Sequence, residues 1–173
     1  MTLPARGSPG VAGLSPAFES LFRTEYARVV GIAHRVLADQ AEAEDVAQDV
    51  FLSFYRAHPA NADYAPAWLH AAAAHAALNA LRARDRRIRR EATGALAEDA
   101  PAVDDPAEAA ASSETREEVR TVLARLPERS AALLVLRYAG LSYAEIAMAL
   151  DVRASSVGTL LRRAEDAFRR EMR

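Results

Sequence analysis

Apolar residues recur at intervals of three and four along most of the chain, and no segment alternates apolar and polar positions as a half-buried strand would. Pro16 opens a helix whose apolar face runs through Phe18, Leu21, Phe22, Val29, Ile32, Ala33, Val36 and Leu37. Residues 41–57 form the next, with Val46, Val50, Phe51, Phe54 and Tyr55 inward and Glu42, Glu44, Asp45, Gln48 and Asp49 outward. A turn-rich loop, His58–Pro66, is bounded by Pro59 and Pro66. A long third helix is expected from about Ala67 to Arg90, offering Trp68, Leu69, Ala72, Ala73, Ala76, Leu78 and Leu81 for burial. Further on, Val119, Val122, Leu123 and Leu126 mark a helix stopped by Pro127. Leu133, Leu134, Leu136 and Tyr138 mark another, ended by Gly140.

The stretch Leu141–Arg170 is the most specific. Ser142 and Glu145 stand three apart ahead of an apolar run, the capping box that satisfies free N–H groups at a helix start. Ile146, Ala147 and Leu150 share one face, and Asp151 closes the short helix where a residue tolerant of the left-handed region is wanted. A second helix is expected from near Ser155, with Val157, Leu161, Ala164 and Phe168 buried. A short helix, a tight turn and a longer helix make a helix-turn-helix, which places its second helix in the DNA major groove. The plainer reading is an ordinary αα-hairpin.

Composition divides the chain. Residues 1–15 carry Gly7, Pro9, Gly10 and Gly13 without an apolar stretch, so a disordered lead-in is expected and not a signal peptide. Residues 91–113 mix Gly94, Pro101, Pro106, Ala and acids, with too little bulky apolar surface to offset ordering entropy, so a flexible acidic linker is expected. This leaves an all-α chain of two small helical domains, residues 16–90 and 114–173. No apolar run is long enough to span a bilayer, and a cytoplasmic protein is expected. No sizeable extension follows the helix-turn-helix, so no fused C-terminal sensory domain is expected.

The net charge of -2 argues weakly against a nucleic-acid partner, but its distribution matters more. All 22 basic residues are Arg. Arg82, Arg84, Arg86, Arg87, Arg89 and Arg90 crowd the end of the third helix around Asp85, while the charged residues of 91–114 are all acidic. A basic helix end headed by Trp68 suits nucleic acid, the guanidiniums taking phosphates and the indole offering a stacking face; a core Trp with a solvated basic end is the plainer alternative. With no cysteine, thiolate catalysis and cysteine-bound zinc are excluded. His70 and His75 stand five apart, off the spacing that shares a helix face, and no glycine elbow or phosphate-cradling loop occurs. No metal, cofactor or catalytic site is expected.

Three segments together carry a family resemblance: LFRTEYARVVGIAHRVLADQAEAEDVAQDVFLSFYRA, then AWLHAAAAHAALNALRARDRR, then RLPERSAALLVLRYAGLSYAEIAMALDV with SSVGTLLRRAEDAF. In this order they resemble the bacterial RNA polymerase sigma factors, specifically the short two-domain extracytoplasmic-function class of the sigma-70 family. The resemblance covers about Phe18 to Phe168 apart from the linker. It implies a promoter-specificity factor whose partners are core RNA polymerase, through its clamp helices and flap, promoter DNA and an anti-sigma factor. Asp45, Gln48, Asp49 and Phe51 match the surface that docks on the clamp helices. The loop 58–66 and the head of the third helix with Trp68 match the part that captures a flipped base of the -10 element. His75 and Asn79 stand where the family often carries Asn and Asp, and Arg82, Arg86 and Arg87 match the stretch that follows the promoter backbone.

In the second domain, Ser155, Ser156, Thr159, Arg162 and Arg163 match the reader of the -35 element. Gly158 and Leu160 sit where many members have Lys and Arg, and Glu165 and Asp166 replace basic residues. Fewer cations imply weaker backbone attraction and a shallower salt dependence. Gly158 is unfavourable inside a helix, and a close backbone approach is one reason that would account for it. The resemblance also implies an acidic tether along the RNA exit path. The rival readings are an autonomous helix-turn-helix regulator that binds duplex DNA without core polymerase, and a helical-bundle metalloenzyme. The metalloenzyme would need inward carboxylates and histidines that this sequence does not space correctly.

Overall fold

A computed structural model describes residues 13–94 and 107–173. The helices are α1 (Pro16–Leu37), α2 (Gln40–Ala57), α3 (Ala65–Gly94), α4 (Ala107–Arg125), α5 (Glu128–Tyr138), α6 (Tyr143–Ala149) and α7 (Ala154–Glu171), with no strand among the described residues. The expected lead-in lies almost wholly outside the described residues. So does the middle of the expected linker, whose two ends are helical: α3 runs on to Gly94 and α4 starts at Ala107.

The helix ends follow from local chemistry. The Ser15 hydroxyl accepts from Phe18 N at 3.3 Å ahead of Pro16, and Asp39 Oδ1 accepts from Glu42 N at 2.8 Å to start α2. In the first domain α1, α2 and α3 pack mutually around Ile32, Val36, Phe54, Leu69 and Leu78, each nearly sealed from solvent. Ala73, Ala74 and Ala77 are fully buried along α3, and their small side chains let that helix lie close against its neighbours.

In the second domain α5 ends in a Schellman motif. Gly140, at φ 91°, is followed by Leu141, whose N–H donates to Leu136 O at 3.2 Å. Leu141 is fully buried, so the turn is pinned from inside. Ser142 then starts α6 with both capping-box bonds present: Glu145 N to Ser142 Oγ at 3.2 Å, and Ser142 N to Glu145 Oε2 at 2.7 Å. A second Schellman turn follows, with Asp151 at φ 50° and Val152 N donating to Ala147 O at 3.0 Å. Ile146, Val157, Leu161 and Ala164 lock α6 and α7 together, and Phe168 is half-buried beside them.

Some expected core positions stand differently: Phe22, Tyr55 and Tyr138 are exposed, and Leu21, Val46, Trp68, Ala72, Ala76, Val119 and Phe168 are half-buried. Periodicity finds a helix's apolar stripe but not its width, and residues at the stripe's edge meet fewer neighbours. The reverse surprise is a buried hydrogen-bonded couple, Glu25 and His70, joined at 2.8 Å from Nε2 to Oε2. Burial lowers the His70 pKa from its ordinary value, Glu25 opposes that shift, and the charge on Arg28 adds to it. A neutral imidazole donating from Nε2 satisfies the Glu25 carboxylate.

Candidate nucleic-acid interface

On α7, Ser155, Thr159, Arg162 and Arg163 stand at spacings of three, four and seven, forming one exposed stripe. Ser156 is half-buried at the edge. Among the described residues neither Arg162 nor Arg163 meets a carboxylate, so both guanidiniums are available for phosphates or guanine edges. The two acids further along are partly neutralised within the helix. Arg169 reaches Asp166 Oδ1 at 2.9 Å and Glu165 Oε2 at 3.8 Å.

Leu160 is half-buried and packs on the core. Gly158 is not demanded by any neighbour in the chain. A Cβ there would meet the Tyr143 ring at 3.5 Å, an ordinary van der Waals separation, so no close backbone approach is found inside the fold. The Arg137 guanidinium carbon lies over the Tyr143 ring, 5.5 Å from its centroid.

At the head of α3, Trp68 belongs to an aromatic cluster. Its ring centroid lies 4.8 Å from His58 and 5.4 Å from Phe54, and His58 stacks on Phe54 at 5.1 Å. Tyr64, exposed, places its hydroxyl 3.2 Å from His58 Nδ1. This couples the loop to the helix and presents aromatic edges at its rim. His58 and Tyr64 were not singled out from the sequence; the signal was their aromatic character inside a proline-bounded loop.

Asn79, Arg86 and Arg87 are exposed further along α3. An open groove lined by Arg84, Arg87 and Arg90, with Glu42 and Glu91 at its edge, makes this end strongly basic. His75 and Arg82 are engaged differently. His75 Nδ1 lies 2.8 Å from Glu128 Oε1, at an angle that leaves the nitrogen without a hydrogen bond. Arg82 donates through Nε to Ala124 O at 3.3 Å and through Nη2 to Leu126 O at 3.1 Å.

On α2, Asp45, Gln48 and Asp49 are exposed together, while Phe51 is only 2% exposed. Phe51 therefore acts from beneath. Its ring lies 4.9 Å from Phe22 and 6.1 Å from Tyr26, and Phe22 stacks on Tyr26 at 4.7 Å. The apolar surface beside the acids comes from Phe22, Leu52 and Tyr55. Among the described residues no three His, Asp or Glu side chains converge to hold a metal ion.

The Sigma-70 region 2 model matches residues 21–87, and the Sigma-70, region 4 model matches residues 116–167. The chain is 31% identical over 160 residues to the ECF RNA polymerase sigma factor SigE of Mycolicibacterium smegmatis. That alignment takes in 89% of this chain and 61% of the relative's length. It is also 31% identical over 166 residues to the RNA polymerase sigma-H factor of Pseudomonas aeruginosa, covering 88% of this chain and 84% of the relative. A similar fold is seen in the structure of CnrH in complex with the cytosolic domain of CnrY: TM-score 0.55, 20% identity, 92% of this chain and 89% of that one.

Proposed function

Because the chain belongs to the sigma-70 family, as a sigma factor of the extracytoplasmic-function class, it directs RNA polymerase to promoters, and we propose how its two domains divide that work. Residues 16–90 bind core enzyme and open the -10 element. The acids Asp45 and Asp49 with the Gln48 amide, beside the aromatic shelf carried on Phe51, dock on the polymerase clamp helices. Trp68, His75 and Asn79 meet unpaired bases, and Arg82, Arg86 and Arg87 follow the backbone. Stacking and pocket hydrogen bonds offset the few kcal/mol that unstacking a base costs.

Residues 114–173 dock on the polymerase flap and read the -35 element through Ser155, Ser156, Thr159, Arg162 and Arg163. The observation that carries this reading is the exposed stripe on α7, bearing two guanidiniums that meet no carboxylate among the described residues. The chain supplies recognition, and the polymerase supplies the chemistry. The place of action is the cytoplasm, in keeping with the absence, among the described residues, of a helix long and apolar enough to cross a membrane. An anti-sigma partner belongs to the same reading, supported by the similar CnrH having been solved with the cytosolic domain of CnrY bound.

Transcription by purified core polymerase, with and without this chain, tests the proposal on promoters mapped from transcripts that rise when the chain is overproduced. Stimulation that depends on the chain is expected. Absence of stimulation on every such promoter refutes it.

A further inference from the structure

Residues of three helices meet beside the recognition stripe, and none of them is among the side chains assigned above to the -35 element. Tyr143 is the first residue of α6, fixed there by the capping box of Ser142 and Glu145. One edge of its ring faces Gly158 of α7, with Cε2 3.5 Å from where a Cβ on that glycine would stand. Over the same ring lies the guanidinium of Arg137, from the last turn of α5, 5.5 Å from the centroid. The turn joining the two residues is held by Gly140 at φ 91° and by the fully buried Leu141.

The placement matters because of what Gly158 lacks. Ser155, Gly158 and Arg162 fall three and four apart, on one line along α7. The glycine leaves that line without a side chain between a hydroxyl and a cation. The Tyr143 ring lies beside the gap and carries a cation of its own. Arg137 and Tyr143 are both exposed, and among the described residues Arg137 meets no carboxylate.

We propose that Arg137 is a further contact to -35 DNA, binding a backbone phosphate, and that Tyr143 is the positioning residue that holds its guanidinium beside α7. The inference rests on the reading of α7 as the -35 reader and extends that reading to α5. In a helix-turn-helix the first helix crosses the sugar-phosphate backbone while the second enters the groove. Here α6 is that first helix, so a cation resting on its first side chain stands where phosphates pass. A guanidinium suits both neighbours at once. Its face stacks on an aromatic ring, while the N–H groups along its edge donate as a fork to phosphate oxygens. Stacking in the free protein also restricts the arginine before DNA arrives, so less freedom is lost on binding. A phosphate contact adds affinity and register without reading a base.

Holoenzyme assembled from core polymerase and the full chain, bound to fragments of the promoters mapped as above, provides the test, with affinity measured across salt concentrations. Arg137→Ala should lower affinity roughly five- to tenfold at about 0.1 M salt and reduce the salt slope by about 0.9, the share of one phosphate. The loss should be equal on fragments that differ in -35 base sequence. Tyr143→Ala should reproduce much of it, and Tyr143→Phe, which keeps the ring, should restore binding. Adding Tyr143→Ala to Arg137→Ala should weaken binding little further, because the two act through one contact. An unchanged slope in Arg137→Ala overturns the phosphate contact. Additive losses, or no recovery in Tyr143→Phe, overturn the positioning role. Arg162→Ala and Arg163→Ala separate this inference from the reading beneath it. If they too leave the slope unchanged, the -35 assignment of α7 falls and Arg137 with it; if they lower it and Arg137→Ala does not, the Arg137 contact alone is refuted.

Discussion

Replacing Gly158 with Ala should stabilise the second domain. Gly158 lies inside α7, and it is not among the positive-φ residues, so its backbone suits any L-residue. In a helix interior Gly is about 1 kcal/mol less favourable than Ala, chiefly because the unfolded chain has more freedom to lose. The added methyl would sit 3.5 Å from the Tyr143 ring, a contact that asks nothing to move. Burying part of that methyl contributes a few tenths of a kcal/mol more, from about 0.8 kcal/mol for a fully buried one. The expected gain is thus about 1 kcal/mol, read by urea denaturation or calorimetry of the full chain. A gain of that size raises Tm by about 4–8 °C if the second domain melts alone, and by about 2–4 °C if the chain melts as one unit. The same experiment therefore reports whether the two domains unfold together. A Tm that stays level or falls would refute the propensity argument and show that this helix needs the glycine in the free protein.

Ile146→Ala removes a fully buried side chain from the heart of the helix-turn-helix and should cost about 2–5 kcal/mol, measurable as a lowered urea midpoint. A cost below that range would mean the site collapses freely around the cavity. Arg162→Ala and Arg163→Ala should each weaken binding to a -35 duplex and reduce the salt slope by about 0.9, leaving core association intact. Asp49→Ala should do the reverse, and equal loss of both activities in either set would show misfolding rather than a lost contact. Because burial depresses the His70 pKa, the folded state disfavours the imidazolium. That contribution to stability is whole above the unfolded value of about 6.5 and is lost as pH falls from there toward the folded pKa. Denaturation midpoints between mildly alkaline and mildly acidic pH should fall more steeply for wild type than for His70→Gln, and parallel curves would contradict the assignment.

What was legible in the sequence was chemistry acting over a few residues. Ser142 with Glu145, Gly140 and Asp151 could be placed because a cap or a left-handed turn is decided by its own backbone. The burial of Ile146, Val157 and Leu161 followed from spacing alone. Hidden from the sequence were contacts between residues far apart in the chain. The Glu25–His70 pair spans 45 positions, and the grip of Arg82 on Ala124 spans 42. Neither has a periodic signature. Phe51 shows the middle case: its inward position was read correctly from spacing, but only packing shows that it lies beneath Phe22 and Tyr26 and is not itself part of the exposed surface. The start of α4 at Ala107 was missed because acids and alanines without bulky side chains look like linker even where they coil.

Glu145 divides its labour between its two oxygens, Oε2 holding the Ser142 amide and Oε1 holding Arg28. Breaking the arginine contact would leave the Ser142 amide hydrogen bond untouched, so the start of α6 does not depend on α1. One carboxylate thus serves its own helix and a neighbour at once, without either contact needing the other.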